Sequence, residues 1–147
     1  MARPRVTNLL DTACAAYIAG LVDGEGTITL SRIHRNERRR PVVCISNNEL
    51  PILRFVLAAT GAGKVTSKRT YHPLHAASYT YQISSRQALE LLRQIKRFLR
   101  SYKARRAQLI LDNYLAVTPR NGKYSAGAAA ARDAFEAELL AIRAQPA

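Results

Sequence analysis

The sequence predicts an α+β domain in which helices cover one face of an antiparallel sheet, in the order α-β-β-α-β-β-α with further helices behind. Three observations predict it. Apolar residues recur at helical spacing in five segments. Four short stretches between the first and third of these alternate like strands. Glycines, an arginine-rich turn and a loop holding Pro73 separate the segments.

The first helix spans 9–23, LLDTACAAYIAGLVD, with Asp11 or Thr12 as its cap and Gly24 and Gly26 ending it. TITLSRI (27–33) and PVVCIS (41–46) read as the first two strands, joined by the arginine-rich turn. Residues 48–63 form a second helix, capped by Asn48 and stopped at Gly61 to Gly63. KVTSKRT (64–70) and ASYTYQIS (77–84) are two more strands. A third helix covers 85–99 behind Ser84 or Ser85, a fourth covers 104–117, and PRNGKYS links to a last, alanine-rich helix at 126–144. Alternation puts Ile28 and Leu30 on one sheet face and Thr27, Thr29 and Ser31 on the other. In the fourth strand Tyr79, Tyr81 and Ile83 alternate with Ser78, Thr80 and Gln82. One face is therefore polar, with arginines at its ends, and must meet solvent or a ligand.

A chain of 147 residues predicts a single domain over 1–147, with a core at about 9–117 and a helical extension at about 124–145. Hydrophobic content of 48% fits a folded globular chain rather than a disordered one. No apolar run reaches eighteen residues, so no membrane partner is expected, and MARPRVTNLL lacks the long apolar core of a secretory signal. Lys plus Arg is 23 against 10 acids, a net charge of +13. That excess points to a polyanion, with nucleic acid first and an anionic membrane surface second. The basic residues are spread over RIHRNERRR (32–40), GKVTSKR (63–69) and RQIKRFLRSYKARR (93–106) rather than gathered in a tail. The two cysteines, Cys14 and Cys44, stand far apart without a Cys-x-x-Cys pair, so both are expected reduced and buried in an intracellular protein. A bacterial cytoplasm or an organelle suits that chemistry.

The opening helix carries a second pattern. Ala16, Gly20 and Gly24 recur every four residues, on one helix face, with Ala15 and Ala19 beside them. A strip without side-chain bulk lets a second helix approach closely. The strip runs to Asp23 and Glu25, at the seam between helix and strand. Two such helices crossing there bring carboxylates together, which is costly unless a cation lies between them. Carboxylates with open positions suit Mg²⁺, which retains waters and accepts phosphate oxygens. The alternative is a tightly packed helix followed by an ordinary Asp-Gly turn.

IAGLVDGEG (18–26) resembles the LAGLIDADG motif of a family of homing endonucleases. PVVCISNNELPILRFVLAATGAGKV (41–65) is similar to that family's second strand, second helix and Gly-x-Gly turn, and FLRSYKARRAQLIL (98–111) to its lysine-bearing segment. The likeness covers about residues 12–116. It implies the α-β-β-α-β-β-α unit with a saddle-shaped sheet, and, with one motif, a homodimer whose helices cross along Ala16, Gly20 and Gly24. It implies site-specific cleavage of double-stranded DNA with Mg²⁺ or Mn²⁺. Glu25 takes the place of the family's metal-binding acid, with the Gly24 carbonyl beside it. Asp23 takes a supporting place or lends its backbone carbonyl to the metal. The water-positioning polar residue falls on Asn47, or on Asn48 after a slip of one. The basic residue near the scissile phosphate falls on Lys103, with Tyr102 or Arg105 as alternatives. Implied DNA-contact positions are Thr29, Ser31, Ile33, Arg35, Arg38, Arg39, Arg40, Val42, Cys44, Thr66, Lys68, Arg69, Thr80 and Gln82, where the apolar Ile33, Val42 and Cys44 either meet thymine methyls or mark a different strand register. An intron RNA maturase, or a non-catalytic DNA binder of the same fold, is the alternative, with intron RNA as a further partner.

Overall fold

A computed structural model describes residues 6–68, 72–74 and 76–146. Helix α1 (Thr12–Glu25) starts beneath Asp11, whose carboxylate accepts the Cys14 amide at 2.7 Å. That amide holds the Asp11 carboxyl below its usual range. The helix does not stop at Asp23, as its glycines suggest, but runs through Gly24 to Glu25, so Glu25 is a helical residue. Gly26 makes the crossing into the sheet. A Cβ there would lie 2.7 Å from the Val22 Cα and 2.9 Å from the Cys44 carbonyl oxygen, so only hydrogen fits.

Strands β1 (Gly26–Ser31), β2 (Arg40–Asn47), β3 (Lys64–Lys68) and β4 (Ser78–Ser84) form one sheet in the order β1-β2-β4-β3, every neighbouring pair antiparallel. β1 ends two residues before the expected position. Helix α2 (Leu50–Thr60) starts later than expected. Its cap position is Glu49 rather than Asn48, because Pro51 in the first turn sets the start. Gly61, at φ +64°, ends it. Helix α3 (Ser85–Ile95) tightens into a 3-10 turn at Lys96–Phe98 instead of running to Leu99. Helix α4 covers Lys103–Asn113, and α5 covers Ala126–Ala141 behind Ser125, whose hydroxyl accepts the Ala128 amide at 3.1 Å.

The core lies between the helices and one sheet face. Ile28, Leu30, Val43, Ile45, Tyr81 and Ile83 project into it and meet Ile18 and Val22 of α1, Leu53 and Val56 of α2, and Leu89, Leu92 and Ile95 of α3. Each such buried aliphatic side chain contributes about 1.5–3 kcal/mol. The Tyr81 hydroxyl donates to the Ala62 carbonyl at 2.8 Å inside this core, and burial pushes its pKa up to about 12. The alternation of β1 and β4 read from the sequence is the alternation observed. Both cysteines are free thiols, but half-buried rather than buried. Among the described residues no helix is long and apolar enough to cross a membrane.

Candidate active site and nucleic-acid interface

The C-terminal end of α1 gathers three of the expected site residues. Glu25 is exposed at the last helical position. Asn47 closes β2 beside it, and its Nδ2 donates to Glu25 Oε2. The other side of that carboxamide is fixed too, since Oδ1 accepts the Glu49 amide at 2.8 Å. Of the two asparagines left open by the sequence, Asn47 is therefore the one that reaches Glu25, while Asn48 is exposed in the bend that follows.

Lys103, the first residue of α4, is only 9% exposed. Its Nζ donates to the Val22 carbonyl at 2.9 Å and to the Asp23 carbonyl at 2.8 Å. The last carbonyls of a helix have no partners within it, and the helix dipole makes that end negative, so an ammonium is stabilised there. Burial lowers the Lys103 pKa, opposed by the charge of Asp23. Of its alternatives, Tyr102 stands beside it and Arg105 turns to the C-terminal segment. The Tyr102 ring lies 5.9 Å from the Lys103 Nζ, and Arg105 donates to the Arg143 carbonyl at 3.4 Å.

The Asp23 side chain turns away from Glu25 and supports the connection between α3 and α4. Its carboxylate accepts the Arg100 amide at 2.7 Å, the Ser101 amide at 3.1 Å and the Ser101 hydroxyl at 2.5 Å. Burial alone would raise the Asp23 carboxyl. The Ser101 hydroxyl, the two amides and the Lys103 charge outweigh burial and hold the carboxyl below its usual range. These bonds engage the Asp23 side chain within the chain, and its backbone carbonyl is shared with Lys103.

The donor set fits part of a hard cation's shell. Glu25 offers an exposed carboxylate oxygen, and the helix end offers carbonyls lacking intrahelical partners. Among the described residues no group of three or more His, Cys, Asp or Glu is placed to take a metal ion.

The open sheet face begins at this site. Strand register puts Thr27, Cys44, Gln82 and Lys64 in one row across all four strands. Thr29, Val42 and Ser84 form the next row outward, and Ser31 with Arg40 the last. On the other side lie Ser46, Thr80 and Thr66, then Ser78 and Lys68. The expected strand positions Thr29, Ser31, Arg40, Cys44, Thr66, Lys68, Thr80 and Gln82 thus share one face. One expectation is corrected. Ile33 is not on the sheet, because β1 ends at Ser31, and sits exposed in the loop. Val42 is on the open face, as expected, but only 5% exposed. Arg35 is exposed in the β1–β2 loop, whereas Arg38 and Arg39 are engaged within the chain: Arg38 pairs with Asp133, and Arg39 donates to the Leu30 carbonyl at 3.4 Å. Arg69 lies outside the described residues.

Sequence reasoning missed Ser46, Lys64 and Ser84 on this face, although the same period of two would have found them. It also missed Ser101 and Arg106. Arg106 donates to the Ile28 carbonyl at 3.0 Å and the Ile142 carbonyl at 2.7 Å, a long-range pairing with no local signal.

On the opposite side of the core, Ala16, Gly20 and Gly24 face outward on α1, while Ala15 and Ala19 are buried against the chain's own body. A Cβ built on Gly20 or Gly24 meets nothing within 4 Å. Tyr17, 48% exposed, packs edge-on against Phe55, 43% exposed, with ring centroids 5.4 Å apart. A bare helix strip flanked by exposed aromatics is an apolar surface continuous with the Glu25 end of the helix.

No protein-family model matches the chain, and no curated protein matches it. Solved structures do. The homing endonuclease I-CvuI in complex with its target, in the presence of calcium, superposes with a TM-score of 0.70 over 90% of this chain and 83% of that one, at 17% identity. The same endonuclease has also been solved with magnesium. An archaeal intron-encoded homing endonuclease complexed with DNA gives 0.67 over 90% and 86%, at 19% identity. The I-LtrWI LAGLIDADG homing endonuclease bound to target DNA gives 0.64, with 94% of this chain matching 47% of that longer one, at 12% identity. The chain has the LAGLIDADG homing endonuclease fold.

Proposed function

We propose that the protein is a homodimeric, divalent-metal-dependent endonuclease that cuts both strands of a long, near-palindromic duplex site. The observation that carries this reading is the exposed Glu25 carboxylate. Asn47 holds it, Lys103 backs it, and it stands at the inner edge of a polar sheet face. DNA-bound neighbours of the same fold support it, as does the net charge of +13.

Two chains crossing at Ala16, Gly20 and Gly24 would bring both Glu25 residues together below the duplex. The paired open faces would lie in the major groove and the cuts across the intervening minor groove. Glu25, with the Gly24 carbonyl, would hold Mg²⁺ or Mn²⁺. A bound divalent ion there would polarise the scissile phosphodiester and ease deprotonation of the attacking water. Asn47 fixes the Glu25 rotamer and retains a second N–H and a second lone pair with which to orient that water. Lys103 offsets the negative helix end and the crowding of carboxylates, and places positive charge beside the phosphate. Arg35, Arg40, Lys64 and Lys68 supply the charge that anchors the backbone.

The test is a library of long duplexes incubated with the protein and Mg²⁺, with and without a chelator. A discrete, chelator-sensitive double-strand cut is expected. A protein that prefers structured intron RNA over every duplex, or that cuts equally well with chelator, refutes the reading.

A further inference from the structure

We propose that α5 positions the β1–β2 arginine loop for target recognition, with Arg132, Asp133 and Glu136 as specificity-setting positioning residues. The proposal rests on the endonuclease reading above.

The loop runs from Ser31 to Arg40 and carries Arg32, Arg35, Arg38 and Arg39. Four like charges in one short loop repel, and its internal ties among the described residues join only His34 and Glu37: a turn from the Glu37 amide to the His34 carbonyl at 3.1 Å, the Glu37 carboxylate on the His34 amide, and that carboxylate 3.9 Å from His34 Nε2. Its attachments to the fold come from α5, from Tyr124 just before it, and from one bond to β1. Arg38 pairs with Asp133, lies 3.9 Å from Glu136 and stacks over Tyr124 at 4.8 Å. The Arg39 amide donates to Glu136 at 2.9 Å. Beneath them Arg132, 1% exposed, donates to the Arg39 carbonyl and the Thr118 hydroxyl and stacks on the Tyr114 ring at 5.0 Å.

That arrangement is not the one stability alone would select. Arg132 Nε is buried without a hydrogen-bond partner among the described residues, and an unpartnered buried polar group is costly. A leucine would dock α5 at less cost. A leucine could not grip the Arg39 carbonyl and so fix the backbone of the loop. α5 thus grips both polar ends of residue 39, its amide through Glu136 and its carbonyl through Arg132. The Arg38 guanidinium is consumed in this holding and the Arg39 guanidinium turns to the Leu30 carbonyl, which leaves Arg32 and Arg35 as the exposed arginines of the loop.

The loop and Glu25 sit at opposite ends of β1, six residues and roughly 20 Å apart. Along B-DNA that is about six base pairs from the cut. Loosening α5 should therefore relax the outer part of each half-site and spare the centre.

The experiment uses the full chain with Asp133→Ala plus Glu136→Ala, and separately Arg132→Lys. Each is scored on a panel of duplexes carrying single base-pair changes along the half-site. Binding is read in a Glu25→Gln background and cleavage in the active one. In the double variant, discrimination at the outer pairs should fall roughly tenfold, with the inner pairs and kcat on the matched site within about twofold. Overall affinity should rise, since two acids are gone. Arg132→Lys should retain part of the outer discrimination. Amide exchange at residues 34–39 should accelerate while β1 and β2 stay protected. Discrimination that falls equally at all positions, or not at all, overturns the proposal. Selective binding without any cleavage sinks the nuclease reading instead, and the binding panel still decides this one.

Discussion

The two ends of β1 are held in opposite ways. At the inner end, Glu25 is left exposed and held by one amide hydrogen bond, while a lysine sits on the Val22 and Asp23 carbonyls of the same helix end. At the outer end, a cluster of arginines is held by acids from another helix. The inner end has its countercharge arranged so that a carboxylate remains available. The outer end has its countercharge arranged so that some guanidinia are spent and others presented. On the proposed reading, chemistry belongs to the first arrangement, and affinity with recognition to the second.

The largest effect should come from the inner end. Glu25→Gln keeps the shape and the Asn47 contact but loses the charge; cleavage should fall on the order of a thousandfold in single-turnover assays, with duplex affinity nearly unchanged. A proportional loss of binding would blur the division between the ends. Gly20→Leu comes next. The side chain has open space within one chain, so the melting temperature should hold, while the dimer should weaken by about 1–3 kcal/mol in sedimentation equilibrium. Cleavage should then rise with protein concentration.

Asp23→Ala is smaller, costing about 1 kcal/mol at neutral pH as the three bonds to the α3–α4 connection are lost. Because the folded carboxyl sits below its unfolded value, the unfolded chain binds more protons in that interval. The stabilisation is therefore full above the ordinary carboxylate range and disappears as pH falls through the lowered value. Wild type and variant should converge in acid, which chemical denaturation across pH will reveal. The smallest change belongs to the outer end. Arg35→Ala should reduce the slope of log affinity against log salt by about 1, with kcat unaltered. A fall in kcat instead would mean that the outer end reaches the chemistry.

Much of the fold was legible because it depends on period. Alternation in β1 and β4 separated the core face from the open face, and helical spacing separated Ala15 and Ala19 from Ala16 and Gly20. The misread boundaries have local causes. Gly24 continues a helix that the packing around Val22 sustains, and Pro51 moves the start of α2 past Asn48. Val42 follows the right alternation yet is covered, which period alone does not report. Least legible were contacts between distant segments. Asp23 meets Ser101 across 78 positions and Arg132 meets Arg39 across 93, and neither leaves a mark in its own neighbourhood. The alanine-rich α5 carries no local sign that Arg132 lies inside.

Gly26 has a further consequence. The helix that bears the acid and the strand that leaves it are separated by one hydrogen atom's width, backbone against backbone. The crossing that carries the carboxylate above the sheet is thus closed by main-chain contact, in addition to the aliphatic packing of Ile18 and Val22. A single methyl at this crossing would force helix and strand apart and displace the acid.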